Sequence, residues 1–141
     1  LFKKAAEKNV GIIVRVPLAS GLLTGTYTAD KTFGANDHRT YNRNGESFDK
    51  GETFSGVDYL TGIRAAERLK AELSTDDLAG MALRWTLMFP EVSVVIPGAS
   101  RPEQIVRNVA ASELPPFTTE QMATVERIYN EVIRESVHGL W

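Results

Sequence analysis

Two short β-branched runs constrain this chain more than any other feature: "GIIVRV" at 11–16 and Val92-Ser93-Val94-Val95-Ile96 at 92–96. A glycine-bearing turn follows each run, "PLASGLLTG" after the first and "PGASRPEQ" after the second, and helical periodicity separates them. Strands joined through helices lie parallel, and parallel sheets are normally covered on both faces. Two strands alone leave two unpaired edges and are marginal in water. The sequence therefore predicts an α/β fold that is one arc of a larger sheet or barrel, incomplete as an isolated chain.

The remaining segments fit that outline. Residues 1–9 read as the tail of a helix closed by Asn9 and Gly11. Gly21 and Gly25 mark a tightly turning backbone after the first strand. Residues 28–56 are polar and lack clear periodicity, and a stretch of that length is either a functional lid or disordered, so a long mobile loop is expected there. Tyr59, Ile63, Ala66, Leu69 and Leu73 then fall at helical spacing. A second helix, capped by "STDD", carries Leu78, Met81, Ala82, Trp85 and Met88 until Pro90, with Trp85 expected in the core. A third starts at Pro102 and carries Ile105, Val106 and Val109. Thr118 or Thr119 caps a final helix with Met122, Val125, Ile128, Tyr129, Val132 and Ile133.

At 141 residues the length suits one domain with a real core, and residues 1–141 are read as one portion of the larger fold. A net charge of −2 with both signs interspersed excludes a nucleic-acid footprint and an anionic-membrane binder. The absence of cysteine excludes disulfides and thiolate metal sites. No apolar run approaches the roughly 20 residues of a membrane span, and no signal peptide precedes Leu1, so a cytoplasmic location is expected. The chain does not begin with Met, and "LFKKAAEKNVG" reads as a helix already under way. A piece of something longer is expected.

In parallel α/β folds ligands sit outside the C-terminal ends of the strands, which is where both glycine-bearing turns fall. Backbone N–H groups around Ala19-Ser20-Gly21-Leu22 suit a pyrophosphate, because glycine permits close approach. Ser100-Arg101-Pro102-Glu103-Gln104 reads as a helix start with a capping hydroxyl and proline near the first position. Either this is an ordinary strand-to-helix turn, or Ser100, Arg101 and the helix mouth hold a second phosphate. Gln104 and Asn108, four apart on one face, suit an adenine edge, with Arg107 alongside. The pattern fits a phosphorylated dinucleotide.

"VPLASGLLTGTY" and "VIPGASRPEQIVRN" closely resemble the two signature segments in the C-terminal half of the aldo-keto reductases, and "ALRWTLMFPEVSVVIPGAS" is similar to that family's seventh barrel helix and eighth strand. The resemblance covers nearly the whole chain and points to the bacterial-type branch, with residues 28–56 as the long loop after the seventh strand. It implies the C-terminal arc of an eight-stranded (β/α)8 TIM-type barrel and the cofactor NADP. By this resemblance Pro17, Leu18, Ser20, Gly21 and Leu22 would line the pyrophosphate. Gly98, Ser100, Arg101, Gln104 and Asn108 would hold the adenosine 2′-phosphate and adenine. Many relatives carry an aromatic where Val16 stands, whose ring packs against the nicotinamide, and Val16 offers no ring. Many carry Glu where Arg107 stands; a cation there adds affinity for the phosphate or simply faces solvent.

The family's catalytic tetrad of Asp, Tyr, Lys and His belongs to its N-terminal half, and no segment here matches it. A Lys⁺ beside a tyrosine favours the phenolate and poises the proton donor. Tyr27, Tyr41, Tyr59 and Tyr129 have no partner that sequence assigns, so no catalytic residue is carried over. His38 and His138 show no metal-ligand spacing and read as solvated side chains, and no metal is expected. "NDHRTYNRN" either clamps a cofactor phosphate or is a flexible surface loop. Trp141 either reaches over a substrate pocket or ends a loose tail.

The leading expectation is the NADPH-binding portion of a carbonyl reductase, acting on a small aldehyde or ketone. Its partners would be the missing N-terminal half of the barrel or a second copy. The alternatives are a non-catalytic nucleotide-binding regulatory module and a fragment inactive alone.

Overall fold

β1 (Ile12–Arg15) and β2 (Val92–Ile96) pair in parallel as a two-stranded sheet, the pairing that the order of strands and helices predicts. The computed structural model describes residues 1–140, so the expectations at Trp141 lie outside the described residues. Ile12 pairs with Val92 and Ile13 with Val94, so Ser93 is skipped at a register irregularity. The Ser93 hydroxyl takes up the slack by accepting from the Ile12 N–H at 3.2 Å. Gly11 permits this approach, since a Cβ there would come within 2.9 Å of Ser93 Oγ.

The chain divides into two compact units: residues 1–18 with 79–116, and residues 19–78 with 117–141. The first holds the sheet with α1 (Phe2–Glu7), α5 (Pro102–Ala110) and most of α4 (Leu78–Leu87). Ala5, Leu83 and Ala111 are buried in it, and Phe89 packs its ring against Phe2 at 5.5 Å and Trp85 at 4.8 Å. Much apolar surface stays open. Ile13 is 63% exposed, Val94 and Ile96 on the partner strand are exposed, and along α5 Ile105, Val106 and Val109 all face out. Among the described residues the sheet has two strands, and apolar side chains on both of them stay exposed.

The second unit is built on α3 (Tyr59–Glu72) and α6 (Thr119–Ile128), followed by a π turn at Tyr129–Ile133 and α7 (Arg134–Val137). Asp58 caps α3 by accepting from Thr61 N–H, and Thr118 caps α6, with Gln121 closing the reciprocal box. Tyr59, Ile63, Ala66 and Leu73 are buried as their spacing predicts. Leu22, Phe54, Tyr59 and Ile63 form a core cluster flanked by Ala19, Tyr27 and Phe33. On the surface Glu72 bridges Arg68 and Arg127, and Arg68 also reaches Glu131.

Residues 28–56 hold more local structure than their lack of periodicity suggests, and two local expectations, along α4 and at the mouth of α5, need correction. The polar stretch 28–56 holds a short helix, α2 (His38–Tyr41), and two 3₁₀ turns at Lys50–Glu52 and Phe54–Gly56. Asn42 organises it from full burial: its Oδ1 accepts from Ser47 and Phe48 N–H, each at 2.8 Å, and its Nδ2 donates to Thr53 Oγ1 at 3.3 Å. A buried amide replaces the apolar period that marks an ordinary helix. Along α4 Leu78, Gly80, Leu83 and Thr86 are buried, while Met81, Ala82 and Trp85, and Met88 just beyond the helix, are only partly covered. At the mouth of α5 the cap is not the Ser100 hydroxyl. Arg101 is the N-cap residue, and the Gln104 carboxamide oxygen accepts from Ser100 N–H at 2.7 Å and Arg101 N–H at 3.1 Å. Ser100 stands one position too early to reach the first turn, so the side chain at the third helical position closes it.

Candidate functional site

In the first unit the two strands end level, and sequence-predicted residues follow each of them in the chain. Arg15 pairs with Ile96, so both strands finish together and Pro17 and Gly98 each follow two residues on. Ser100 and Arg101 are exposed at the start of α5, with Gln104 and Asn108 half-buried one and two turns along. Ser100 Oγ also donates to Gln104 Oε1 at 3.2 Å, so the hydroxyl is oriented although it caps nothing. The first turn of a helix presents N–H groups and the positive end of its dipole, and Arg101 stands there with a planar fork of donors. Arg107 lies exposed on the same helix. Val16, just beyond β1, adopts φ +51°, which is a strained region for a β-branched side chain.

In the second unit Ser20, Gly21 and Leu22 form one turn. Ala19, Ser20 and Gly21 have φ of +48°, +55° and +100°, three left-handed residues in succession. Gly21 is required there because a Cβ would overlap the Tyr27 phenol oxygen. The Leu22 side chain is buried in the core cluster, so only its backbone faces outward chemistry. The Ser20 hydroxyl is enclosed by the long loop: Phe54 N–H donates to it at 3.2 Å, His38 Nε2 stands at 3.4 Å, and it donates to Glu52 O at 3.4 Å. The Ser20 carbonyl accepts from Arg39 Nη1 at 3.3 Å and from the Tyr27 hydroxyl at 3.4 Å.

Arg39 is the residue that sequence reasoning missed. Its Nε and Nη2 grip the Asp37 carboxylate at 2.8 and 2.6 Å, its Nη1 also donates to the Tyr27 hydroxyl, and its guanidinium lies 4.4 Å from the centre of the Phe33 ring. The Arg39 hydrogen bonds hold the Asp37 carboxyl down at about 2, and the same carboxylate raises the arginine. Arg43 lies over Tyr59 at 5.0 Å, and burial pushes the Tyr59 phenol up. "NDHRTYNRN" carried the signal only as a mixture of basic and aromatic residues. His38, expected in solvent, is half-buried against Ser20, and His138 Nδ1 meets the Tyr129 hydroxyl at 2.8 Å. A surface depression of about 570 Å³, lined by Gly25, Tyr27, Glu67, Lys70 and Asp76 among others, contains none of the sequence-predicted site residues. Among the described residues no group of His, Asp or Glu could hold a metal, and no helix is long and apolar enough to cross a membrane.

An α/β chain with two parallel strands, glycine-bearing turns at both strand ends and a proline-started helix after the second defines a class, and comparison with known proteins gives it a family. The aldo/keto reductase family model matches residues 1–130, and the chain belongs to that family. It is 36% identical over 121 residues to a putative voltage-gated potassium channel subunit beta of Schizosaccharomyces pombe, covering 85% of this chain and 34% of that protein. It is 32% identical over 121 residues to L-glyceraldehyde 3-phosphate reductase of Escherichia coli K12, covering 86% of this chain and 34% of the relative. The fold matches that of a glycerol dehydrogenase from Gluconobacter oxydans with a TM-score of 0.70 at 24% identity, over 94% of this chain and 38% of the other. The chain thus spans about a third of the length of the relatives it matches.

Proposed function

We propose that this chain is the NADPH-binding portion of an aldo-keto reductase barrel, an oxidoreductase that reduces small aldehydes or ketones to alcohols in the cytoplasm. The register of the two strands carries the reading: with Arg15 opposite Ile96, the Pro17-Leu18 and Gly98-to-Arg101 segments follow the C-terminal ends of the two strands, where parallel folds bind ligands. Family membership supports the nicotinamide chemistry. The donor set fits a phosphate ester, with the exposed Arg101 fork, the Ser100 hydroxyl and the first turn of α5 at one point.

NADPH, when bound, supplies the hydride; the part of this chain is to hold it. Arg101 and Ser100 would grip the 2′-phosphate, supported by Gly98, while Asn108 would face the adenine. Gln104 commits its carbonyl oxygen to the helix mouth, which leaves its amide nitrogen for the ligand. Pro17, Leu18, Ser20, Gly21 and Leu22 would line the pyrophosphate. The proton donor and the remaining strands would come from outside this chain, either from an N-terminal half of the barrel or from another copy. Uncovered Ile13, Val94 and Ile96, and the buried Trp85 Nε1, which has no hydrogen-bond partner among the described residues, support an incomplete barrel.

A fluorescence titration of the full-length protein tests the reading, with NADPH expected to bind more tightly than NADH. Binding of neither cofactor overturns it. The similarity to a protein named as a channel subunit supports a second reading, a regulatory nucleotide-binding module. Cofactor binding without any turnover of aldehydes or ketones by the full-length protein would favour that one.

A further inference from the structure

We propose that Asp37 and Arg39 are a positioning pair that sets the Ser20–Gly21 turn for the cofactor's pyrophosphate, acting through the turn rather than by touching the ligand. The inference rests on the cofactor reading above and assigns a role to two residues that reading leaves idle. A turn of three left-handed residues is not a relaxed conformation for Ala19 and Ser20, and surrounding structure must hold it. Arg39 does so. One edge of its guanidinium, Nε and Nη2, grips Asp37, and Nη1 reaches both the Ser20 carbonyl and the Tyr27 hydroxyl, whose ring stands against Gly21. The opposite side of the turn is closed by Phe54 N–H and His38 on the Ser20 hydroxyl. Asp37 also caps α2 by accepting from Arg39 N–H, so backbone and side chain of the arginine are fixed by one carboxylate.

The sign of the electrostatics makes the pair informative. A carboxylate near a bound anion is repulsive, so its removal through charge alone should leave pyrophosphate affinity unchanged or tighten it. Removal of a group that holds Arg39 on the turn should weaken it. Asp37→Asn retains a helix-capping side chain and deletes the charge, and Arg39→Lys retains the charge and deletes the fork.

The test is titration of the full-length protein and these two variants with NADPH and NADH, at pH 7 and a temperature where urea unfolding shows all three folded. The expected result is about a ten-fold weaker affinity in each variant, equal for both cofactors, because the pyrophosphate is common to them and the 2′-phosphate is not. Unchanged or tighter binding in Asp37→Asn overturns the proposal, as does a loss confined to NADPH. Wild-type protein that binds neither cofactor overturns the functional reading, and this inference with it.

Discussion

Arg39 and Asp37 stand two residues apart and meet fork to fork, with Nε donating to Oδ1 at 2.8 Å and Nη2 to Oδ2 at 2.6 Å. The contact fixes a pH dependence. The Asp37 carboxyl titrates at about 2 in the folded protein, below its ordinary 3.8, because the Arg39 hydrogen bonds favour the carboxylate. A depressed folded value means the fold binds fewer protons than the unfolded chain, so the stabilisation is complete above about pH 5 and lost as pH falls through about 2. Urea unfolding of wild type and Asp37→Asn should show a constant difference from pH 5 to 7 that narrows toward pH 2. A difference that widens on acidification would contradict the assignment.

Gly21 should tolerate no side chain. At φ +100° an added Cβ would overlap the Tyr27 phenol, so strain and collision act together. Gly21→Ala should destabilise by about 1–3 kcal/mol. Gly34, where an added Cβ meets nothing within 4 Å, serves as the control, and Gly34→Ala should change stability by less than about 0.5 kcal/mol. Equal effects in thermal unfolding would mean that the turn is not held as described.

Cofactor choice should sit on Arg101. If the exposed Arg101 fork reads the 2′-phosphate, Arg101→Ala removes a charge-assisted contact of roughly 1.5–3 kcal/mol, about ten- to a hundred-fold in NADPH affinity, and leaves NADH binding nearly unchanged. This contrasts with the equal losses expected at Asp37 and Arg39. Equal losses at Arg101 would place its role elsewhere.

The long loop should be cut in a definite pattern. Lys31 and Lys50 are exposed, whereas Arg39 and Arg43 are partly covered and stack on aromatic rings. Limited trypsin digestion followed by mass spectrometry should show early cleavage after the two lysines and late cleavage after the two arginines. NADPH should slow the cuts within residues 28–56 if the loop orders over the cofactor. Cleavage first at Arg39 or Arg43 would show that the partly covered anchors do not hold.

The parts of this structure legible in sequence are those with a period or a fixed backbone demand. The β-branched runs became β1 and β2, the spacing from Tyr59 to Leu73 became the buried face of α3, and Gly21 and Gly25 took the left-handed conformations their turns require. What sequence hid was polar burial. Asn42, wholly enclosed among the N–H groups of its own loop, and Arg39, folded onto Ser20, have no repeat to betray them, because hydrogen-bonded polar cores are specified by geometry and not by alternation. The α5 cap departs from expectation for a related reason: a serine shortly before a helix-starting proline is the usual signature, yet here the carboxamide three positions after Arg101 closes the mouth by accepting from Ser100 and Arg101 N–H. The helix itself was legible, since its start at Pro102 places Ser100 and Arg101 just before it and Gln104 and Asn108 along it.

This chain by itself should reduce no carbonyl and should not stay monomeric. Hydride delivery to a ketone needs a proton donor within about 3 Å of the developing alkoxide, and general acid catalysis of that kind contributes roughly 10²–10⁴-fold. Tyr27 and Tyr59, the tyrosines beside cations, are committed to Ser20 O and Thr28 O, and the guanidinium groups near them lie in the aromatic cluster. Meanwhile Ile13, Val94 and Ile96 on the sheet and Ile105, Val106 and Val109 on α5 leave apolar surface in water, and among the described residues the sheet has two strands and so two lateral edges. Burying those side chains is worth on the order of 25 cal/mol per Å², which favours pairing with a second copy or with further strands of a barrel. Sedimentation velocity on the purified 141-residue chain should therefore show dimers or larger species, and NADPH oxidation with a nitrobenzaldehyde should not exceed the uncatalysed rate. Addition of a polypeptide carrying the remaining barrel strands should disperse the self-associated species and restore turnover together. A monomer with ordinary enzyme turnover would show that the proton donor lies within these residues, and Tyr27 beside Arg39 would be the first to replace.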